Sequence, residues 1–83
     1  MLIVSQDRKR VTDNLNLYII RDDDNFVIEN TSYYLGKYKS EERAKEVLQS
    51  FLDFYKIKAE MSFEEGLLTI LARNIAIFYM PEK

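Results

Sequence analysis

The sequence predicts an α+β domain in which an antiparallel sheet of about four strands packs on one main helix, Ser40–Lys56. Three observations lead to this fold class. Short runs of β-prone apolar residues lie on both sides of the predicted helix. Polar clusters of only a few residues separate the runs that precede it, which favours antiparallel neighbours. The helical segment itself places its apolar side chains on one side.

The chain is long enough for one domain, residues 1–83, and its composition favours a packed core. Apolar residues make up 47% of it, with six tyrosines and five phenylalanines. It contains no cysteine, which excludes disulfide bonds, thiolate metal sites and thiol nucleophiles from these residues. Small domains without such cross-links often gain stability by oligomerising. We therefore expect a homo-oligomer.

Four strand-like runs and a hairpin loop precede the helix. Leu2–Ser5 is a short β-prone run, and apolar residues alternate from Leu15 to Ile20 with the period of a half-buried strand. Asp22–Asn25 predicts a hairpin loop, because Asp and Asn bond their own backbone and tolerate turn geometry. Phe26–Glu29 resumes the strand pattern, and Tyr33–Leu35 predicts another pairing strand.

The main helix carries a start signal and a wide apolar face. Ser40 is a favourable N-cap, and Glu41 and Glu42 place negative charge in the first turn, where the helix dipole favours it. The apolar residues fall within an arc of roughly 160° at helical spacing. They are Ala44, Val47, Leu48, Phe51, Leu52, Phe54 and Tyr55. A face this wide requires a sheet or a partner beneath it.

A connector, a second helix and a last strand are predicted beyond the main helix. Ile57–Met61 is the connector, and Ser62 has the capping-box spacing that begins a short helix, Phe63–Arg73. The competing interpretation is a hairpin whose first strand is Leu67–Leu71. Either alternative is followed by a β-rich run, Ile75–Met80, which predicts a final strand.

Three segments together resemble a known group of proteins. They are Ile3–Asp7, Leu35–Leu48 and Tyr79–Glu82. This combination resembles small uncharacterised proteins of phages and prophages of Gram-positive, low-GC bacteria, which share an SQD start, an LGKY-S/T-EERAKEVL centre and a Y-x-MP end. The resemblance implies a strand–helix–strand order and a phage-related context, but brings no assigned activity. Small phage proteins often bind and inhibit a host factor, including host defence systems.

The residue types present argue against catalysis, a cofactor and a metal site. The chain has no histidine and no cysteine, so the commonest general base and the strongest nucleophile are missing. Its two glycines form no phosphate-binding loop. Asp22–Asn25 concentrates oxygen ligands that suit Ca²⁺ or Mg²⁺, yet it lacks the alternating spacing and central glycine of an EF-hand. We expect a solvated turn there, and a protein that is not an enzyme.

A protein partner is the function that the composition favours. The tyrosines, the apolar helix face and the dense apolar segment Leu67–Met80 together exceed what a small domain buries easily. The candidate contact residues are Tyr33, Tyr34, Tyr38, Arg8, Lys9 and Arg10. The alternative is a small nucleic-acid-associated regulator, whose contact residues would be Arg8, Lys9, Arg10, Lys37 and Lys39. The net charge of −2 disfavours it, because phosphate binding normally needs more positive charge.

The sequence also predicts where the protein resides. Leu2-Ile3-Val4 is followed at once by polar residues, which is not the pattern of a signal peptide. The densest apolar stretch, Leu67–Met80, is interrupted by Arg73-Asn74 and is too short to span a bilayer. We expect a cytoplasmic protein without membrane association, located in the host cytoplasm if it is phage-encoded.

Overall fold

The fold is α+β, as predicted, with one long helix and two small sheets in the described part of the chain. A computed structural model describes residues 1–65 and 76–83. The elements are β1 (Leu2–Val4), β2 (Val11–Thr12), β3 (Tyr18–Asp22), β4 (Asn25–Glu29), β5 (Tyr34–Tyr38), α1 (Glu41–Glu65) and β6 (Ile77–Tyr79). No described helix is both long and apolar enough to cross a membrane.

The first sheet has the strand order β2-β1-β6 and is mixed. β1 runs antiparallel to β2 and parallel to β6, so Ile3 lies opposite both Thr12 and Phe78. These three side chains are buried. Successive side chains of a strand alternate between the two faces of a sheet. The residues on either side of them therefore point away from the core.

The second sheet is antiparallel, with the order β3-β4-β5. The predicted hairpin at residues 22–25 is confirmed: Asp22 pairs with Asn25, and Asp23 adopts a left-handed φ of 55°. Aspartate tolerates that conformation better than most residues, because its short side chain bonds the backbone locally. β5 is longer than predicted and continues through Gly36 to Tyr38.

The prediction of one sheet with about four strands is wrong. Thr12 and Asn14 side chains accept backbone N–H bonds from Asn14 and Asn16, at 3.1 Å each, and bend the chain before β3. β1 is left to pair with β6, which lies at the far end of the sequence. A rule that places sequential strands side by side does not anticipate this long-range parallel pairing.

The predicted end of the main helix at Lys56 is also wrong. Ser40 caps the helix as predicted, accepting the Arg43 N–H at 3.1 Å. α1 then continues through the proposed connector and through Ser62 to Glu65. The connector has no proline or glycine, and extending a helix costs less than starting a new one. The second helix, Phe63–Arg73, is thus overturned where it overlaps α1, and its remainder lies outside the described residues.

Other predictions near the second helix lie partly or wholly outside those residues. The alternative strand Leu67–Leu71 belongs to residues 66–75, which the structure does not describe. The final strand is present as β6.

The core lies between α1 and the inner faces of both sheets. Its buried members are Ile3, Ile28, Leu35, Tyr38, Ala44, Val47, Phe51, Phe78 and Met80. Phe78 joins the first sheet to the helix, because its ring meets Phe51 edge-on with 5.4 Å between centroids. The buried stripe of the helix is narrower than predicted, since Leu52 and Tyr55 are 49% and 37% exposed.

Candidate interaction surface

The loop between β1 and β2 is held in one conformation by its own hydrogen bonds. The Ser5 N–H donates to the Arg10 carbonyl at 2.9 Å, and the Arg10 N–H returns a bond to Ser5 Oγ at 3.1 Å. Asp7 Oδ1 accepts from the Ser5 hydroxyl at 2.6 Å and from the Lys9 N–H at 3.0 Å. The Ser5 bond is the main reason why the pKa of the Asp7 carboxyl is lowered. The loop therefore presents Arg8, Lys9 and Arg10 on an ordered backbone.

Gln6 connects this loop to the second sheet and to the C-terminal segment. Its backbone N–H donates to the Leu35 carbonyl at 2.7 Å. Its side-chain amide accepts from the Lys37 N–H at 2.8 Å and donates to the Lys37 carbonyl at 3.0 Å. The same Nε2 donates to the carbonyls of Glu82 at 2.9 Å and Pro81 at 3.2 Å. Gln6 thus bonds to the edge of β5 much as a neighbouring strand would.

Two arginines of the loop stack on tyrosines. The Arg8 guanidinium lies 5.3 Å from the ring centroid of Tyr79, and that of Arg10 lies 4.7 Å from the ring centroid of Tyr33. Both distances are within the range of a cation–π contact. Arg8 is further held by a 2.9 Å bond to the Met80 carbonyl and a 3.8 Å ion pair with Glu82.

Five of the six predicted contact residues lie around this loop, and Tyr38 does not. Tyr38 is 2% exposed, and its hydroxyl donates to the Pro81 carbonyl at 2.8 Å. Burial raises the pKa of the Tyr38 hydroxyl to about 12. Its side chain belongs to the core because β5 continues past Gly36 and turns that position inward. Tyr34 remains outside, 57% exposed, beside a cavity of about 110 Å³ that Gln6 and Asp7 also line.

The outer face of the first sheet adds exposed apolar residues that are not among the predicted contact residues. Val11, Ile77 and Tyr79 are 58%, 39% and 55% exposed. Leu2 and Val4 lie half-buried in the same face, since Val4 pairs with both Val11 and Tyr79. The alternation of the final strand was a usable signal, because residues 77 and 79 fall on one face and Phe78 on the other.

We call these residues together the arginine–tyrosine surface. It comprises Arg8, Lys9, Arg10, Tyr33, Tyr34 and Tyr79, together with the apolar residues Val11 and Ile77. Tyrosine and arginine are the residue types that most often carry binding energy at protein interfaces. Its chemistry is therefore that of recognition by stacking, apolar contact and hydrogen bonding.

A second area of positive charge lies at the start of α1. Lys37, Lys39, Arg43 and Lys83 line a groove of about 360 Å³, together with Glu82. The Arg43 guanidinium is fixed there by a 2.9 Å bond to the Lys83 carbonyl. Two of the cations assigned to the nucleic-acid alternative thus lie in this groove, and the other three lie on the β1–β2 loop.

Three segments singled out in the sequence, Ile3–Asp7, Leu35–Leu48 and Tyr79–Glu82, meet in space. Gln6 belongs to the first, Lys37 and Tyr38 to the second, and Pro81 to the third, and the hydrogen bonds described above join all of them. This contact explains why distant parts of the sequence form one structural unit. No protein-family model matches the chain, and no curated protein or solved structure is significantly similar to it.

Proposed function

We propose that this chain is a non-catalytic protein that acts by binding another protein through the arginine–tyrosine surface, and that it also self-associates. The observation that carries the proposal is the exposed apolar face of the β2-β1-β6 sheet, whose Val11 and Tyr79 are more than half exposed. Apolar side chains exposed together on a sheet, beside stacked arginines, are typical of a docking site.

The arginine–tyrosine surface is already ordered in the free chain, so little conformational entropy would be lost on binding a partner. The loop backbone is fixed by Ser5 and Asp7, and the Arg8 side chain is already held by Met80 and Glu82. Side chains that are immobilised before binding lose less conformational freedom when a partner arrives. The resemblance to phage proteins suggests the source of the partner: we propose a host protein of a Gram-positive bacterium, whose activity would be inhibited.

A comparison of two matched variants tests this function. Tyr79 and Ile57 are each 55% exposed, but Tyr79 lies in the proposed surface and Ile57 on the far part of α1. Wild-type protein, Tyr79→Thr and Ile57→Thr would each be immobilised and exposed to extract from a low-GC Gram-positive bacterium. We expect a host protein that wild type and Ile57→Thr retain and Tyr79→Thr loses. Equal retention by all three folded variants would exclude this surface.

The groove at the start of α1 favours nucleic-acid binding as a second candidate function. Four cations and one carboxylate line it, so its local charge is positive although the chain carries −2. Titration of labelled DNA and RNA at low and moderate salt would test it, because phosphate contacts weaken steeply as salt rises. A signal that is absent, or that does not depend on salt, would remove this candidate.

A further inference from the structure

The outer edge of β3 offers backbone groups that no described strand pairs. The hairpin closes at Asp22 and Asn25, so Asp22, Ile20 and Tyr18 are the hydrogen-bonded positions of the β3–β4 ladder. The N–H and C=O groups of the residues between them, Ile19 and Arg21, therefore point away from β4. Within residues 1–65 and 76–83, no backbone or side-chain hydrogen bond satisfies these four groups.

The opposite edge of the same sheet is already occupied. Gln6 bonds to the Leu35 carbonyl and to both backbone groups of Lys37 on β5. A strand edge that pairs with nothing is a template for another chain, and proteins commonly protect it with proline, lysine or a bulge. β3 has the sequence Tyr-Ile-Ile-Arg-Asp, which contains no proline or lysine and has its two charged residues at one end. Its ladder to β4 has no bulge, since the one at Ile28 and Glu29 belongs to the β4–β5 pairing.

The helix covers the inner side of β3 only in part, since Ile19 is half-buried against the core. α1 packs mainly against β4 and β5. Beside β3 a groove of about 370 Å³ remains, lined by Ile19, Ile20, Arg21, Phe26, Glu41 and Lys45. A second strand can therefore approach this edge without displacing the helix.

We propose that two copies of this chain pair antiparallel through β3, with a two-fold axis at Ile20, and so join their three-stranded sheets into one of six strands. In this register Ile19 of each copy lies opposite Arg21 of the other. Opposed residues of this type exchange two hydrogen bonds. All four outward groups of each copy are then satisfied by four bonds in total. This inference specifies the self-association of the proposed function and does not use the arginine–tyrosine surface.

The side chains favour this register over the two neighbouring antiparallel registers. On the outer face Ile20 meets its own copy at the axis, and Tyr18 lies opposite Asp22, so no like charges are opposed. An axis at Arg21 would oppose two guanidinium groups, and an axis at Ile19 would place Arg21 opposite Leu17, which precedes the strand. Both alternatives leave outward groups unpaired. The partner that fits this edge is therefore a second copy of the chain.

Proline at position 21 tests the backbone pairing. Arg21→Pro removes an outward N–H without removing a bond of the β3–β4 ladder, and edge strands tolerate proline at such positions. Arg21→Ala removes the same side chain but keeps the N–H. Two of the four intermolecular bonds are lost in Arg21→Pro, so we expect its dimer dissociation constant to rise about 30-fold or more. Sedimentation equilibrium would measure it, and circular dichroism would verify the fold.

A cysteine at the axis provides an independent readout. Residue 20 and its copy form a non-hydrogen-bonded pair, whose Cα atoms lie about 4.5 Å apart, within the range that a disulfide spans. Because the chain has no cysteine, Ile20→Cys introduces a single thiol. We expect rapid covalent dimerisation on mild oxidation, and slow dimerisation of the control Gln49→Cys on the exposed side of α1.

The outcomes separate this pairing from the proposed function. A wild-type chain that stays monomeric at high concentration, an Arg21→Pro variant that dimerises like Arg21→Ala, or equal oxidation of the two cysteine variants would each overturn it. Partner capture that depends on Tyr79 and persists in monomeric protein would leave the proposed function standing. If no partner is captured by a chain that still dimerises through β3, the proposed function would be excluded and the β3 pairing would stand.

Discussion

Replacing Gln6 tests whether one side-chain amide holds the β1–β2 loop, β5 and the C-terminal segment together. In Gln6→Ala the bonds to Lys37, Pro81 and Glu82 are lost. The two Nε2 protons are shared among three carbonyls, and Oε1 accepts one further bond. Taking about three effective bonds at the lower end of the usual range, because water reaches these groups, the expected loss is about 2 kcal/mol of unfolding free energy.

Gln6→Glu provides a second test, because its loss of stability should depend on pH in a defined direction. An ionised carboxylate at this position would face the carbonyls of Lys37, Pro81 and Glu82 at distances where the amide now donates. This repulsion raises the pKa of the introduced carboxyl in the folded state above its unfolded value, about 4.3. The variant is therefore most destabilised at neutral pH. Its deficit relative to wild type shrinks as the pH falls through the raised pKa, because the protonated acid donates again.

Urea unfolding followed by far-ultraviolet circular dichroism would measure both variants at pH 7 and pH 4. Gln49→Ala is the matched control, since Gln49 makes one exposed bond to Asp53 at 2.9 Å within α1. We expect this control to change stability by less than about 0.5 kcal/mol. A Gln6→Ala variant that is as stable as the control would contradict this role of Gln6. A Gln6→Glu variant that is no less stable than Gln6→Ala at neutral pH would contradict it as well.

Two further predictions concern the buried Tyr38. Its pKa is raised from 10.0 to about 12, so between these values the unfolded state releases a proton that the folded state keeps. Stability should fall as pH rises through this window, and urea midpoints of Tyr38→Phe should fall less steeply. In Gly36→Ala the new Cβ would lie 2.7 Å from Tyr38 Oη and 2.9 Å from its Cε2. We expect a loss of about 1–3 kcal/mol by urea unfolding, and a smaller loss when Tyr38→Phe is already present. Additive losses would contradict the contact.

Local structure could be predicted from the sequence because its causes are local. The Ser40 cap and the turn at Asp23 depend on residues within a few positions of each other. The pairing of β1 with β6 depends on residues at opposite ends of the chain, and the hydrophobic periodicity of either strand does not indicate its partner. The two-residue strand β2 is too short for a pattern, and it follows directly on a charged loop.

The difference between local and long-range causes also explains which residues of the candidate site could be predicted. Arg8–Arg10 and Tyr33-Tyr34 were predicted together as contact residues, and the structure stacks Arg10 on Tyr33. Tyr38 was assigned to the surface because composition alone gives no face to a tyrosine. Tyr38 lies two residues after Gly36 and therefore on the same face of β5. Its ring packs over Gly36, where a Cβ would leave no room for it. Tyr79 was overlooked because the surface it joins is assembled across the β1–β6 pairing.

The position of each polar contact indicates where function can reside. The side chain of Gln6 bonds to Lys37, and the hydroxyl of Tyr38 bonds to Pro81. Their role is therefore to hold three distant segments together in one fold, and we call them the fastening residues. Tyr79 presents most of its ring outward, and Lys9 at the tip of the same ordered loop is exposed. A residue that folding requires and a residue that a partner requires are expected to respond differently to substitution. Variants of the fastening residues should lower stability and binding together, whereas variants of the outward residues should lower binding at unchanged stability, which makes the arginine–tyrosine surface separable from the fold that supports it.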